Sequence, residues 1–246
     1  MRLHTVTITG ADDAIDIHQL VDLSMEFPFV EWGILVSKSK GGSPRFPSRS
    51  WIDHLDESVR KRRIRVAMHI CGKWMRELLT GELRWEDLPS AANFAQTFQF
   101  NTHGIQVTPS QDGCLAKLSE RRALRTFIFQ WNSLAEQLAR LAQRKGFSIT
   151  GLFDNSGGAG ILPESGWPSP QNIPFPMGFA GGLGPNNVIE QLEKINAACG
   201  DRPIATWIDM EGQVRSADGA QLDMSRVHRV LERVVKSRFL IGTVSK

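Results

Sequence analysis

Met177-Gly178-Phe179-Ala180-Gly181-Gly182-Leu183-Gly184-Pro185-Asn186-Asn187-Val188 reads as a short apolar strand, a glycine-rich turn and the start of a helix. The helix continues over Asn186–Ala198, where apolar residues recur at three- and four-residue steps. The same unit recurs along the chain. Strand-like runs are predicted at Thr5–Thr9, Trp32–Val36, Arg65–Ile70, Ala95–Phe100, Arg125–Gln130, Ile149–Asp154, Met177–Ala180 and Ala205–Asp209. Further clear helices are expected at Asn132–Arg144 and Ser225–Val235. Strand, turn and helix repeated eight times without a break in composition predict an α/β fold, a closed (β/α)8 TIM barrel with residues 1–246 as a single domain. A doubly wound open sheet is the structural competitor. It usually has fewer strands, and it often carries a glycine-rich phosphate turn after the first. Here the first strand ends in Thr9-Gly10-Ala11-Asp12-Asp13, which lacks GxGxxG, and there is no P-loop.

Composition bounds the function classes. A hydrophobic share of 41% supports a sizeable core, and 22% charged residues suit a globular surface. The net charge of +3 is a weak attractor for polyanions. The basic run Arg60-Lys61-Arg62-Arg63-Ile64-Arg65 precedes an apolar stretch and has no interleaved aromatics, so it reads as a solvated helix end and not as a nucleic-acid site. Cys71, Cys114 and Cys199 are odd in number and far apart, which argues against a disulfide framework or a structural zinc site. No apolar run approaches the roughly 18 residues of a membrane span, and Met1-Arg2-Leu3-His4-Thr5 leads straight into a strand pattern without a signal peptide. A cytoplasmic protein with no membrane partner is expected.

Two loops are placed to carry function. The longest irregular segment, Asp154–Pro176, follows the sixth strand, and a second loop rich in Gly, Ser and Pro, Ser37–Ser48, follows the second. Both fall at the C-terminal mouth, where barrel active sites lie.

The same loops carry a resemblance. Trp32-Gly33-Ile34-Leu35-Val36 with Ser43-Pro44-Arg45-Phe46-Pro47-Ser48, then Gln99 with His103-Gly104, are similar to segments of phosphoribosylanthranilate isomerase. Leu152-Phe153-Asp154-Asn155-Ser156-Gly157-Gly158-Ala159-Gly160 with Trp167 resembles that family's sixth-strand loop, and Ala180–Val188 resembles its seventh. Ile208-Asp209, with Gly219 and Asp223 beyond, is similar to its eighth. The matches fall in family order along nearly the whole chain. They imply the barrel fold, and they imply a function to be read residue by residue.

The resemblance implies opening of an aminoaldose ring and isomerisation to an aminoketose, which needs an acid at the ring oxygen and a base at C2. It places the acid at Asp154; the alternative is an Asp that caps the following turn. Where the family has a cysteine base, this chain has Thr9, whose hydroxyl is no base near neutral pH without an activating partner. Asp12, His69 and Cys71 are the candidate replacements. His69 and Cys71 share one strand face; otherwise they are a hydrogen-bonded core histidine and a small buried hydrophobe.

For binding, Arg45 matches the family's carboxylate-handling arginine, the alternative being a solvent-facing loop residue. His103 is a further candidate for facing substrate. Gly181 and Gly182 retain one half of the family's phosphate site, while Glu211 and Arg215 stand in the other half. Glu211 pairs with Arg215, points away, or marks a substrate without phosphate. Gln130, Asn132, Asn155, Gly157 and Gly158, with Asn101, Trp131 and Trp167, predict a mouth rich in amides and aromatics, suited to a sugar or heterocycle. No HExxH or comparable ligand spacing occurs, so neither metal nor cofactor is expected. The expected partner is a small-molecule substrate; the sequence leaves the oligomeric state open. The reading is a diverged isomerase-like enzyme performing acid/base isomerisation on a sugar-like substrate, with or without phosphate. The alternative is a non-catalytic barrel that binds a small ligand or a protein partner.

Overall fold

Runs rich in β-branched and aromatic residues form β1 (Arg2–Thr9), β2 (Val30–Ser37), β3 (Val66–Cys71), β4 (Thr97–Phe100), β5 (Thr126–Gln130), β6 (Ser148–Asp154), β7 (Met177–Ala180) and β8 (Ala205–Met210). In the computed structural model each strand pairs in parallel with the next, and β8 returns to β1 to close the barrel in chain order. The structure describes residues 1–62, 64–123, 125–154, 159–200 and 204–241. Every strand expected from the sequence is present, with ends displaced by at most three residues.

The helices are α1 (Ile17–Glu26), α2 (Arg49–Arg62), α3 (Gly72–Thr80), α4 (Ala91–Phe94), α5 (Gln111–Ser119), α6 (Ser133–Arg144), α7 (Val188–Cys199) and α8 (Met224–Val235). Side-chain caps begin several of them: Asp16 accepts from His18 N, Asn132 from Ala135 N, and Asp223 from Ser225 N and Arg226 N. Each such cap is worth roughly 1 kcal/mol. The expected eightfold repeat needs one correction. Between β6 and β7 the described residues, 159–176, form no helix. This stretch carries Pro163, Pro168, Pro170, Pro174 and Pro176. Each proline removes an N–H and restrains the residue before it, so no helical run survives.

Alternation along the strands separates two interiors. Outward residues, such as Val6 and Ile8 on β1, pack under the helices in the main core. On β4 and β5 the outward residues are Phe98, Phe100, Phe127 and Phe129, whose rings contact one another at centroid distances of 5.0–5.9 Å. Inside the barrel, Ile128, Leu152, Ala180 and Trp207 form a separate apolar cluster on the β5–β8 side. The β1–β4 side is polar. Near its lower end Glu31 is buried and accepts from Thr7 Oγ1 and Thr97 Oγ1, each at 3.1 Å. Arg65 Nη2 donates to Thr5 Oγ1 at 2.9 Å nearby. Burial raises Glu31 above the usual carboxylate range, and the field of Arg65 and the two hydroxyls oppose that rise.

The basic run behaves as a helix end in its first part: Arg60 pairs with Asp56 and Lys61 with Glu57, one helical turn back and solvent-exposed. Arg65 departs from it by reaching the barrel's lower end. Among the described residues no helix is long and apolar enough to cross a membrane.

Candidate functional site

The C-terminal ends of the strands surround a cavity of about 310 Å³. Parity decides which side chains reach it. Thr9, His69, Gln99, Gln130, Asp154 and Asp209 all point inward at or near their strand ends and line it. Two hydrogen-bonded groups stand on different sides.

The first contains the carboxyls. Asp154 on β6, Ala180 on β7 and Asp209 on β8 are ladder partners, so the two carboxyls stand at one level, two strands apart. Thr9 Oγ1 donates to Asp209 Oδ1 at 2.7 Å. Asp209 is buried, and burial pushes it up to about 8; the charges of Glu211, Asp154 and Glu31 push the same way, against the Thr9 hydrogen bond. Asp154 is half-buried and accepts from Gln130 Nε2 at 3.3 Å. Gln130 Oε1 meanwhile accepts the backbone N–H groups of Thr102 and His103, fixing the turn after β4.

The second group lies on β3 and β4. His69 Nδ1 is 3.2 Å from Gln99 Nε2, which also donates to Asn101 Oδ1 at 3.1 Å. Asn101 Nδ2 donates to Cys71 Sγ at 3.3 Å. Burial lowers His69 to about 3 and raises the Cys71 thiol to about 12. At neutral pH the first is therefore an uncharged imidazole of low basicity and the second a protonated thiol. Gly33 makes the close approach of the two groups possible. A Cβ there would stand 2.2 Å from Thr9 Oγ1 and 2.9 Å from His69 Nε2.

At the rim, Arg45 donates to both oxygens of Glu211, at 2.5 and 2.7 Å. The Arg45 backbone has φ 75, in the left-handed region, and its N–H donates to Asp12 Oδ2 at 2.6 Å. Arg215 lies deeper. It donates to the carbonyls of Gly10, Gly219 and Ala220, and its guanidinium stands 3.9 Å from Glu211. Thus Glu211 pairs chiefly with Arg45, and the Arg45 fork is engaged within the protein. Gly181 and Gly182, with φ of 110 and 69, line the cavity beside Gly212.

Several sequence expectations are revised. Asn132 caps α6 and donates to Thr102 Oγ1 at 2.7 Å; it supports the loop and does not line the cavity. Asp12 serves the backbone of Arg45 and Ala14, also outside the lining. Trp167 bonds Gln191 and packs on Phe179, while Trp131 packs on Phe175, so the aromatic mouth is not formed by them. His103 is exposed at the edge of the cavity. Asn155, Gly157 and Gly158 lie outside the described residues. Asp209, Gln99 and Lys40 line the cavity and were not singled out as site residues from sequence. For Asp209 the available signal is its place at the end of an apolar strand, a place that Asp154 shares.

Among the described residues no group of three or more His, Cys, Asp and Glu side chains is arranged to hold a metal ion. The fold and mouth cavity define a (β/α)8 barrel of the kind that carries its site at the strand C-termini. No family model matches the sequence, and no curated protein matches it. Solved structures do match the fold. Phosphoribosyl anthranilate isomerase from Thermotoga maritima superposes with a TM-score of 0.59 at 16% identity, over 95% of this chain and 99% of that one. A phosphoribosyl anthranilate isomerase in complex with reduced 1-(o-carboxyphenylamino)-1-deoxyribulose 5-phosphate gives 0.54 at 14% identity, over 94% and 97%. A truncated 3-deoxy-D-arabino-heptulosonate 7-phosphate synthase from Thermotoga maritima gives 0.55 at 13%, over 95% and 86%. At these identities the likeness is one of fold.

Proposed function

We propose that the chain works as a single barrel domain, a diverged relative of phosphoribosylanthranilate isomerase, and performs acid/base isomerisation on a sugar-like small molecule. One observation carries this reading: two carboxyls, Asp154 and Asp209, stand at the same level of the barrel and open on one cavity. Pairs of titratable groups in unlike surroundings are how one site holds an acid and a base together.

Buried Asp209, pushed up to about 8, carries a proton at neutral pH; Thr9 holds one of its oxygens. Asp154 is more open and presents acceptor oxygens, one of them oriented by Gln130. Asp209 is therefore the acid and Asp154 the base, which exchanges the role that the family resemblance gives Asp154. Asp209 donates its proton to the ring oxygen as the C1–O bond breaks and that electron pair moves onto oxygen, while a lone pair of the C1 hydroxyl oxygen closes the C1 carbonyl and its proton passes to solvent. Asp154 then takes the proton from C2, the C–H pair becomes the C1–C2 double bond, and the carbonyl π pair moves onto the C1 oxygen to give an enediolate. The C1–C2 pair takes the proton back from Asp154 at C1, the C2 hydroxyl proton moves to the C1 oxygen as its O–H pair forms the C2 carbonyl of the ketose, and Asp209 regains a proton from solvent. The Arg45–Glu211 pair neutralises the rim carboxylate, so the mouth accepts phosphorylated and unphosphorylated sugars alike.

The test works across a range of substrates at once. The protein is incubated in D2O with a panel of aldoses, aldose phosphates and phosphoribosylanthranilate, and deuterium entry at C2 is followed by proton NMR. Entry abolished by Asp154→Asn and by Asp209→Asn supports the proposal. Ligand binding without exchange across the whole panel would favour the non-catalytic barrel, for which the internally engaged Arg45 is the relevant observation.

A further inference from the structure

Two buried polar atoms on the β3–β4 side of the cavity, His69 Nε2 and Gln99 Oε1, have no hydrogen-bond partner among the described residues. Both side chains line the cavity, and they are only 1% and 4% exposed. An unsatisfied polar atom sealed in a core is a defect. One on a side chain that lines a cavity is a place for a ligand atom, reached by a small turn of that side chain.

The neighbouring groups fix the hydrogens. Asn101 turns its Nδ2 to Cys71 Sγ, so its Oδ1 is left to accept from Gln99 Nε2. The second hydrogen of Gln99 Nε2 points at His69 Nδ1, 3.2 Å away. His69 is enclosed, and no carboxylate is hydrogen-bonded to it, so the ring is neutral with Nδ1 as acceptor. A neutral imidazole carries a single N–H, which must then lie on Nε2. The missing side chain at Gly33 leaves that edge of the ring uncrowded, since a Cβ there would stand 2.9 Å from Nε2.

We propose that His69 is a further catalytic residue, a neutral Nε2–H donor that binds the substrate's carbonyl oxygen, while Gln99 Oε1 accepts the adjacent hydroxyl. The ligand class that fits a donor and an acceptor side by side is an α-hydroxycarbonyl, the open-chain form of an aldose or ketose. This deepens the isomerisation reading and rests on it. When the base removes the proton from the hydroxyl-bearing carbon, the C–H pair forms the new carbon–carbon double bond. The carbonyl π pair moves onto its oxygen, and the Nε2–H bond stabilises that charge without transferring its proton. His69 thus serves as electrophile, where the sequence alone made it a candidate base.

The experiment uses the whole chain and glycolohydroxamate, a mimic of the enediolate, with nitrogen-15 NMR of the histidines. Expected are the Nε2–H tautomer of His69 from about pH 6 to about pH 8, and a shift of its Nε2 proton on adding the probe. Probe affinity should fall about tenfold in His69→Ala and recover with the donor-retaining His69→Gln. An Nδ1–H tautomer, an imidazolium at about pH 6, or His69 signals unmoved by the probe would overturn the proposal. Unchanged affinity in His69→Ala would overturn it too. The tautomer is read on the unmodified protein, so it decides even if a variant fails to fold. None of these readouts depends on turnover, so they fail or succeed separately from the Asp154 and Asp209 exchange assay.

Discussion

Asp209 and Glu31 are both carboxyls buried inside the same barrel, both raised by burial, yet the fold gives them different surroundings. Glu31 sits low in the barrel with a threonine hydroxyl on each oxygen and the field of Arg65 nearby. Asp209 sits at the mouth with one hydroxyl partner and a face on the cavity. Burial alone therefore does not mark a catalytic acid. On the proposed reading, burial combined with a face on the cavity does.

The largest expected effect separates the two by turnover. Asp209→Asn should slow C2 exchange by about 10²- to 10⁴-fold, the usual contribution of a general acid. Glu31→Gln should leave exchange within about threefold of the parent, as expected of a group remote from the reacting atoms. Equal losses in both variants would dissolve the distinction.

Stability against pH comes next. Asp209 has a folded value near 8 against an ordinary 3.8, so the unfolded chain ionises first. Stability from this group is complete below its ordinary value and is lost as pH rises toward about 8, at up to roughly 1.4 kcal/mol per pH unit. In urea titrations Asp209→Asn should remove this fall and outlast the parent at about pH 8. Glu31 is shifted in the same direction, so Glu31→Gln should also flatten the profile; here the two carboxyls behave alike.

A smaller effect is expected where the two mouth groups meet. Gly33→Ala places a Cβ against Thr9 Oγ1 and His69, and overpacking of this kind costs about 1–3 kcal/mol in denaturant melts. It should also perturb Asp209 through Thr9 while leaving Glu31 untouched. The subtlest test is Thr9→Val. Removing its hydrogen bond raises Asp209 further, so the alkaline fall of the exchange rate should move to higher pH. An alkaline limb that rises instead would make Asp209 the base and Asp154 the acid.

Much of the fold was legible because apolar strands and glycine-rich turns are local signals, and all of the strands appear where those signals stand. The lack of a helix among the described residues 159–176 is local too: it lies within the irregular segment read from the sequence and is written in the prolines of 163–176. The site was legible only as a region. Position at a strand end points to His69, Cys71 and Gln130, and the family resemblance adds Thr9 and Asp154; all five line the cavity. Neither signal gives pairings, because those depend on the register between strands distant in sequence. Thus Thr9 finds Asp209 200 residues away, and Glu211 finds Arg45 instead of nearby Arg215. Asn132 reads as a substrate-binding amide because a helix cap and a binding amide look identical in a sequence.

Gln130 has a consequence of a mechanical kind. Its carbonyl oxygen clasps two backbone N–H groups of the turn after β4, while its amide nitrogen holds Asp154 on the far side. One side chain is therefore the tie-rod between two loops of the mouth. A ligand that draws Asp154 toward itself would slacken the grip on Thr102 and His103, so occupancy at the carboxyl side would be felt at a loop two strands away.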